Sequence, residues 1–372
     1  MHAMKTKIIK WLPYSLLVLG LIVLGLFRIF PETMDTVYSG FIYKWVAQGI
    51  SLVMSLIPFS MAELACFAAV LLLLYGLICG YIIKHPKVLL RTIVYMAAVF
   101  LLTCGVNYYR VPLEKHLNYT LEPSSGDDLV ELAENMLQRT NRAADMVRRT
   151  AEGKINPDYT FPQMKKEVLL AYDSLAVSVS GKFGGYFPAV KPLMVSNLYS
   201  YSYIMGFFFP WTVEANVNKS VPEFWIPGLI AHEQAHVRGF MRENEANFIS
   251  YLVGCHTNNR ELKYSTLLHS FIYVLSALQS SCPEAHRKII EGLSPRVLHD
   301  LQENNEYISA HRSLWGEMSN KMNDVYLKVN GQDEGVKSYG KVVDLLLAEF
   351  KKNKSEMQQK ANTSVYINEA PE

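Results

Sequence analysis

The chain has 372 residues and a formal net charge of +2, with 36 Lys and Arg against 34 Asp and Glu. No run of five or more basic residues occurs, so no nucleic-acid partner is expected. Half of the residues are hydrophobic, and the excess lies before about residue 110, an asymmetry that points to a membrane.

Residues 11–30, 61–83 and 92–108 each have the length and polarity of a spanning helix, since about 17 or more apolar residues cross a hydrocarbon core of roughly 30 Å. Lys5, Lys7 and Lys10 form a basic start that a cleaved leader would share. No small-x-small site follows Leu26, however, and two more spans come after. These lysines, together with Lys84, Lys87 and Arg91 between spans two and three, belong in the cytoplasm by the positive-inside rule. The N-terminus is then inside and the large C-terminal part outside. Residues 37–58, aromatic and aliphatic but broken by Lys44, Gln48 and Ser51, read as an amphipathic helix in the outer interface. Ser60 and Glu63 have the spacing of a capping box at the start of span two. Cys66, Cys79 and Cys104 fall in the spans as small apolar residues. Cys255 and Cys282 are free to pair if the compartment is oxidising.

Residues 110–122 read as an exit linker, and Ser124-Ser125-Gly126-Asp127 starts an amphipathic helix to about residue 150. A second helix is expected over 161–179. Gly181, Gly184, Gly185, Pro188 and Pro192 mark a loop, after which the aromatic and β-branched residues of 199–217 offer the only strands. An exposed strand edge can hold an extended peptide backbone, and this segment is suitably placed for that. Core packing or membrane contact by Phe207, Phe208, Phe209 and Trp211 is the alternative. Further helices are expected over 262–278, 283–293, 295–329 and 336–352, and from residue 354 the polar tail reads as disordered.

The chemistry sits in Pro227-Gly-Leu-Ile-Ala-His232-Glu233-Gln-Ala-His236-Val-Arg-Gly239. Proline suits the first turn of a helix and glycine its end, so the HExxH lies on a helix. Residues four apart share a helix face, which lets His232 and His236 offer two imidazole nitrogens to one Zn²⁺. Glu233 misses the metal but reaches the water activated there, as a general base. Leu229, Ile230, Ala231 and Ala235 make the helix a buried one, where an unligated His-Glu-His cluster is costly.

A catalytic site needs a third protein ligand. On a straight helix Glu243 would lie about 10 Å beyond His236, so the chain must turn back, and Gly239 can take the left-handed conformation that ends one helix. A second helix from near Arg242 then brings Glu243 to the metal, in preference to Glu245, and places Asn247 on the same face to orient a ligand histidine. Arg238, Arg242, Tyr251, His256, Tyr307 and His311 are all available as oxyanion donors. Glu214, Asn216 and Asn218 read as a polar turn or as cleft lining.

HEQAH followed by Glu243-Asn-Glu-Ala-Asn247 resembles the gluzincin metallopeptidases, in which a Glu-x-x-Ala-Asn/Asp element supplies the third ligand; the resemblance assigns that role to Glu243. The start of the metzincin pattern is also present, but Arg242 stands at the position of its third histidine. More of the chain is similar to an uncharacterised bacterial family of multi-span membrane proteins with an outward HExxH domain, through Pro58-Phe-Ser60, Thr212 to Asn218, His232 to Leu252, Tyr326-Leu-Lys328 and Ser338-Tyr-Gly340. The resemblance implies a mainly α fold: a membrane anchor over 1–110 with three transmembrane helices, a mostly helical, zincin-like extracytoplasmic domain with a few strands over 111–353, and a tail over 354–372. It further implies a zinc-dependent peptidase in the bacterial cytoplasmic membrane acting on a peptide or protein substrate. The alternative is a non-catalytic scaffold or sensor in which zinc only stabilises the fold.

Overall fold

Three helical stretches, Lys10–Ile29, Met61–Ile78 and Pro86–Tyr109, are long and apolar enough to cross a membrane, as a membrane protein requires. They belong to α1 (His2–Ile29), α3 (Met61–Ile78) and α4 (Pro86–Thr103), with α2 (Lys44–Ser55) between the first two. The computed structural model describes residues 2–122, 125–330, 332 and 341–368. The second span is shorter than expected because Gly80 takes a left-handed φ of 62° and starts a turn. The third starts earlier, with Pro86 in its first turn.

Asp35–Tyr43 forms a π-helical turn leading into α2. Tyr43, Ala47 and Ser51, four apart, are buried against the rest of the chain, and Ser51 Oγ accepts the Ala189 amide at 3.0 Å. Trp45, Leu52, Val53 and Leu56 remain exposed on other sides. The helix is therefore two-faced, as an interfacial helix is. Ser60 caps α3 by accepting the Glu63 amide at 3.1 Å, but the expected reciprocal half of the box is absent. The Glu63 carboxylate instead accepts the amides of Met194 and Val195 at 2.6 and 3.1 Å.

Beyond the spans come α5 (Gly126–Met146) and α6 (Phe161–Ser178). Ser125 and Asp128 form a full capping box at the start of α5; Ser124 lies outside the described residues. Strands β1 (Val190–Pro192), β2 (Gly206–Phe209) and β3 (Glu214–Val217) form one sheet in the order β1-β3-β2. β1 runs parallel and β2 antiparallel to the central β3, with Phe207 opposite Asn216. Two strands come from the expected 199–217. β1 lies in the Gly/Pro segment read as loop, because a three-residue edge strand ending in proline carries no alternation.

The remaining helices are α7 (Ile226–Val237), α8 (Glu243–Cys255), α9 (Arg260–Ser281), α10 (Pro283–Glu291), α11 (Pro295–Ala310), α12 (Leu314–Val329) and α13 (Lys341–Asn368). The single helix expected over 295–329 is broken in two. Ser313 begins α12 by accepting the Gly316 amide, while its own amide donates to the Tyr203 hydroxyl. The tail expected to be disordered continues α13 through residue 368, because Val342, Leu345 and Leu346 bury its first turns and Lys354 pairs with Glu131 at 2.6 Å. The expected helix start over 336–340, the Ser338-Tyr-Gly340 piece and residues 369–372 lie outside the described residues. Cys255 and Cys282 are both free, and the Cys255 thiol instead accepts from Arg139 at 3.4 Å.

One hydrophobic cluster joins Phe27, Tyr38, Tyr43 and Val106 from around the spans to Tyr172, Phe183, Phe240, Phe248 and Phe271 beyond them. Beside it, Asp35 binds Arg110 at 2.6 Å, Lys182 at 2.7 Å and His116 at 3.3 Å. The ends of spans one and three are thereby fixed to the chain that follows.

Candidate metal centre

All twelve residues of α7 are buried. The helix ends as the glycine predicts: the Phe240 amide bonds the Ala235 carbonyl and the Gly239 amide that of His236, with Gly239 at φ 85°. This pair of bonds is the Schellman arrangement, and it reverses the chain. A Cβ at Gly239 would lie 3.2 Å from both Arg110 Nη1 and Tyr43 Cε1, so the turn also needs the missing side chain.

The reversal brings Glu243, the first residue of α8, back to the two histidines. His232 Nε2 lies 3.2 Å from His236 Nε2. Glu243 oxygens lie 3.3 Å from His232 Nε2 and 3.6 Å from His236 Nε2. Glu245 points away, accepting the Leu113 amide at 3.0 Å and Arg242 at 2.6 Å. His236 Nδ1 must donate to the Phe240 carbonyl at 2.8 Å, which leaves the Nε2 lone pair of the neutral ring facing the cluster. Asn247 does not take that orienting role; it borders the cavity. Nδ1 of His232 and Oε2 of Glu233 are buried without a hydrogen-bond partner.

These three side chains suit a divalent cation on geometry and chemistry. Bonds of about 2.0 to 2.1 Å in a tetrahedron separate ligand atoms by roughly 3.3 Å, close to the three distances. Burial raises the Glu243 carboxyl, but the two adjacent imidazoles outweigh it and hold the group well below its ordinary range. Burial opposes charge on His236, yet Glu243 draws it up to about 9; the cluster calls for positive charge. Among the described residues no further His, Cys, Asp or Glu joins this group. Burial pushes Glu233 up to about 7, with the imidazoles opposing.

The cluster opens into a cavity of about 620 Å³. β2, the sheet edge, passes directly over Glu233: a Cβ on Gly206 would lie 2.6 Å from Glu233 Oε1. Phe207, Phe208, Phe209 and Trp211 all line the cavity, and Trp211 also reaches span three, donating to the Met96 carbonyl at 3.1 Å. None of the six oxyanion candidates borders it. Arg238 is spent on Phe183, Gly185 and Gln234, and Arg242 on Glu245 and the Tyr108 and Arg110 carbonyls. The hydroxyl-bearing residues of its lining are Tyr108, Tyr203, Tyr273, Ser319 and Tyr326, with His269 beside Tyr273 at 3.3 Å. His269 and Tyr273, four apart on a buried helix, were the sequence signal for that wall.

None of Glu214, Asn216 and Asn218 lines the cleft, and the expected polar turn is made by Asn218 alone, whose side-chain oxygen accepts the Ser220 amide at 2.8 Å. Glu214 accepts the Ala62 amide at 3.0 Å and Asn216 the Ser60 hydroxyl at 2.6 Å, tying β3 to the start of span two. Asn218 holds Ser200 and the Ile204 carbonyl.

The family model described as a protein of unknown function, DUF3810, matches residues 38–347. The chain belongs to the DUF3810 family. That match takes in α2, spans two and three, the sheet and the whole metal cluster, so the DUF3810 unit includes membrane helices as well as the HExxH helix. No match was found among curated proteins or among solved structures.

Proposed function

We propose that this protein is a zinc-dependent peptidase anchored in the bacterial cytoplasmic membrane, with its N-terminus inside and its catalytic part outside. The observation that carries the reading is the triangle of His232, His236 and Glu243, with edges of 3.2 to 3.6 Å, beside the buried Glu233 carboxylate. His232, His236 and Glu243 would hold Zn²⁺, which as a Lewis acid polarises a peptide carbonyl and acidifies water. Glu233 accepts the proton of the attacking water and delivers it to the departing amine. The free edge of β2 suits a substrate peptide in extended form, held by main-chain hydrogen bonds. The lysines before span one and between spans two and three support the orientation.

A zinc-stabilised scaffold is the rival, and it needs a closed site with four protein ligands. The three-member cluster facing a large cavity favours catalysis. The deciding experiment measures metal by mass spectrometry and hydrolysis of a mixed peptide pool on purified protein. Wild type and Glu233→Gln should each carry zinc, His232→Ala and Glu243→Ala should carry none, and Glu233→Gln should lose about 10²- to 10⁴-fold in rate. Zinc in the wild type with no hydrolysis that depends on Glu233 would favour the scaffold, and absence of zinc would defeat both.

A further inference from the structure

One wall of the metal cavity is a membrane helix. Phe100, Cys104 and Tyr108, four apart near the outer end of span three, all border it, and the Cys104 thiol touches Met241 and the Tyr326 hydroxyl, each at 3.6 Å. Trp211 bonds the carbonyl of Met96, seven residues before α4 ends at Thr103. At 1.5 Å per helical residue that is about 10 Å along the helix axis, so the loop after β2 lies against the outer part of span three.

A second cavity of about 560 Å³, almost wholly apolar, lies between spans one and three and is lined by Leu17, Ile93, Ala97 and Leu101. Phe100 and Trp211, with ring centroids 6.1 Å apart, border both cavities. On the other flank α12 exposes Leu314, Met318, Met322, Val325 and Val329, a single apolar stripe at helical spacing that suits a lipid interface. The adjoining side of α12, with Asn320, Asn323 and Tyr326, borders the metal cavity, as does Met322 of the stripe itself, and Tyr326 packs on the rings of Phe100 and Tyr108.

β2 joins these features. Its first residue crosses Glu233, and the chain beyond its last residue reaches the apolar cavity at Trp211. An extended peptide paired with this edge therefore has one end at the general base and the other where the ring of Phe209 packs 4.9 Å from that of Trp211, three residues and about 10 Å away at roughly 3.3 Å per residue.

Resting on the peptidase reading, we infer that the substrate is a polypeptide held in the same membrane by an apolar segment of its own. That segment occupies the groove between spans one and three, and the chain is cut about three residues outside it.

The test uses the full-length protein in liposomes of phosphatidylethanolamine and phosphatidylglycerol. Two peptide pools carry the same randomised extramembrane sequence, one of them continued by an apolar stretch of about 20 residues. The tethered pool should be cut at least about tenfold faster, through its raised effective concentration, with cuts clustered about three residues from the apolar stretch. Co-localisation alone would survive blocking of the groove, so Ala97→Trp should reduce the tethered-to-untethered ratio, whereas Leu73→Trp on the exposed face of span two should not. Zinc content checks the integrity of each variant. In Glu233→Gln protein, a photo-crosslinker on the apolar stretch should label the segment around residues 93–101. Equal Glu233-dependent rates on both pools, an unchanged ratio in Ala97→Trp, or labelling elsewhere would overturn the tether while leaving the peptidase standing. No Glu233-dependent cleavage of either pool would overturn both.

Discussion

Gly206 is the residue on which the approach of the sheet to Glu233 depends. Alanine there would place its methyl 2.6 Å from Glu233 Oε1 and 3.0 Å from the Asn216 carbonyl, so either the carboxylate or the strand must move. Overpacking of this kind costs about 1 to 3 kcal/mol. Gly206→Ala should keep zinc, melt at a lower temperature and hydrolyse peptides much more slowly; unaltered hydrolysis would mean that the carboxylate is not held where the reaction needs it. The clustering of His232, His236 and Glu243 was readable in the sequence, because helix periodicity and one glycine are enough to bring them together. Gly206 was not, since nothing local marks a strand that crosses a helix 27 residues later in the chain. The same holds for Glu63, whose local spacing suggested a helix cap. Its carboxylate instead bonds amides more than 130 residues away, and no local pattern encodes such a partner.

At the level of elements, the turn between α7 and α8 fixes Glu243, the third candidate ligand, to His232 and His236. Gly239 sits at φ 85°, a conformation that costs an L-residue about 1 to 2 kcal/mol, and its face is closed by Arg110 and Tyr43. Gly239→Ala should therefore reduce zinc retention during dialysis against a weak chelator, without abolishing the helical circular dichroism. A variant that keeps its metal as well as wild type would show that the reversal tolerates a side chain. The junction around Asp35 gives a pH dependence. Burial raises this carboxyl, but His116, Arg110 and Lys182 outweigh it and hold it far below the usual range. A depressed carboxyl stabilises the fold above the unfolded value of about 4 and loses that contribution as pH falls toward the folded value. Thermal melts from pH 6 to pH 3 should fall steeply for wild type and less for Asp35→Asn, which starts lower; parallel curves would remove Asp35 from the account. The broken helix at Ser313 and the strand at Val190 escaped the sequence because a cap and a three-residue edge each depend on a neighbour distant in the chain.

For the whole molecule, the spans were legible from hydropathy alone. Their intimacy with the metal centre was not, because it arises from side chains scattered over more than 200 positions. Arg110 illustrates it: the guanidinium binds Asp35, donates to the Arg238 carbonyl at 3.1 Å and lies 4.1 Å over the Phe240 ring. A fragment beginning at residue 111 should consequently bind little zinc and show no cooperative melt, even in detergent. A fragment that loads one zinc and unfolds cooperatively would show that the outer part stands on its own.

The hold of Arg110 on the end of α7 also bears on biogenesis. Asp35 follows span one and Arg110 follows span three, so their pairing, and with it the support behind the turn at Gly239, requires those two spans to lie side by side. On the proposed reading, a chain whose spans have not yet come together would lack a finished site. Latency before insertion would then follow from the folding itself.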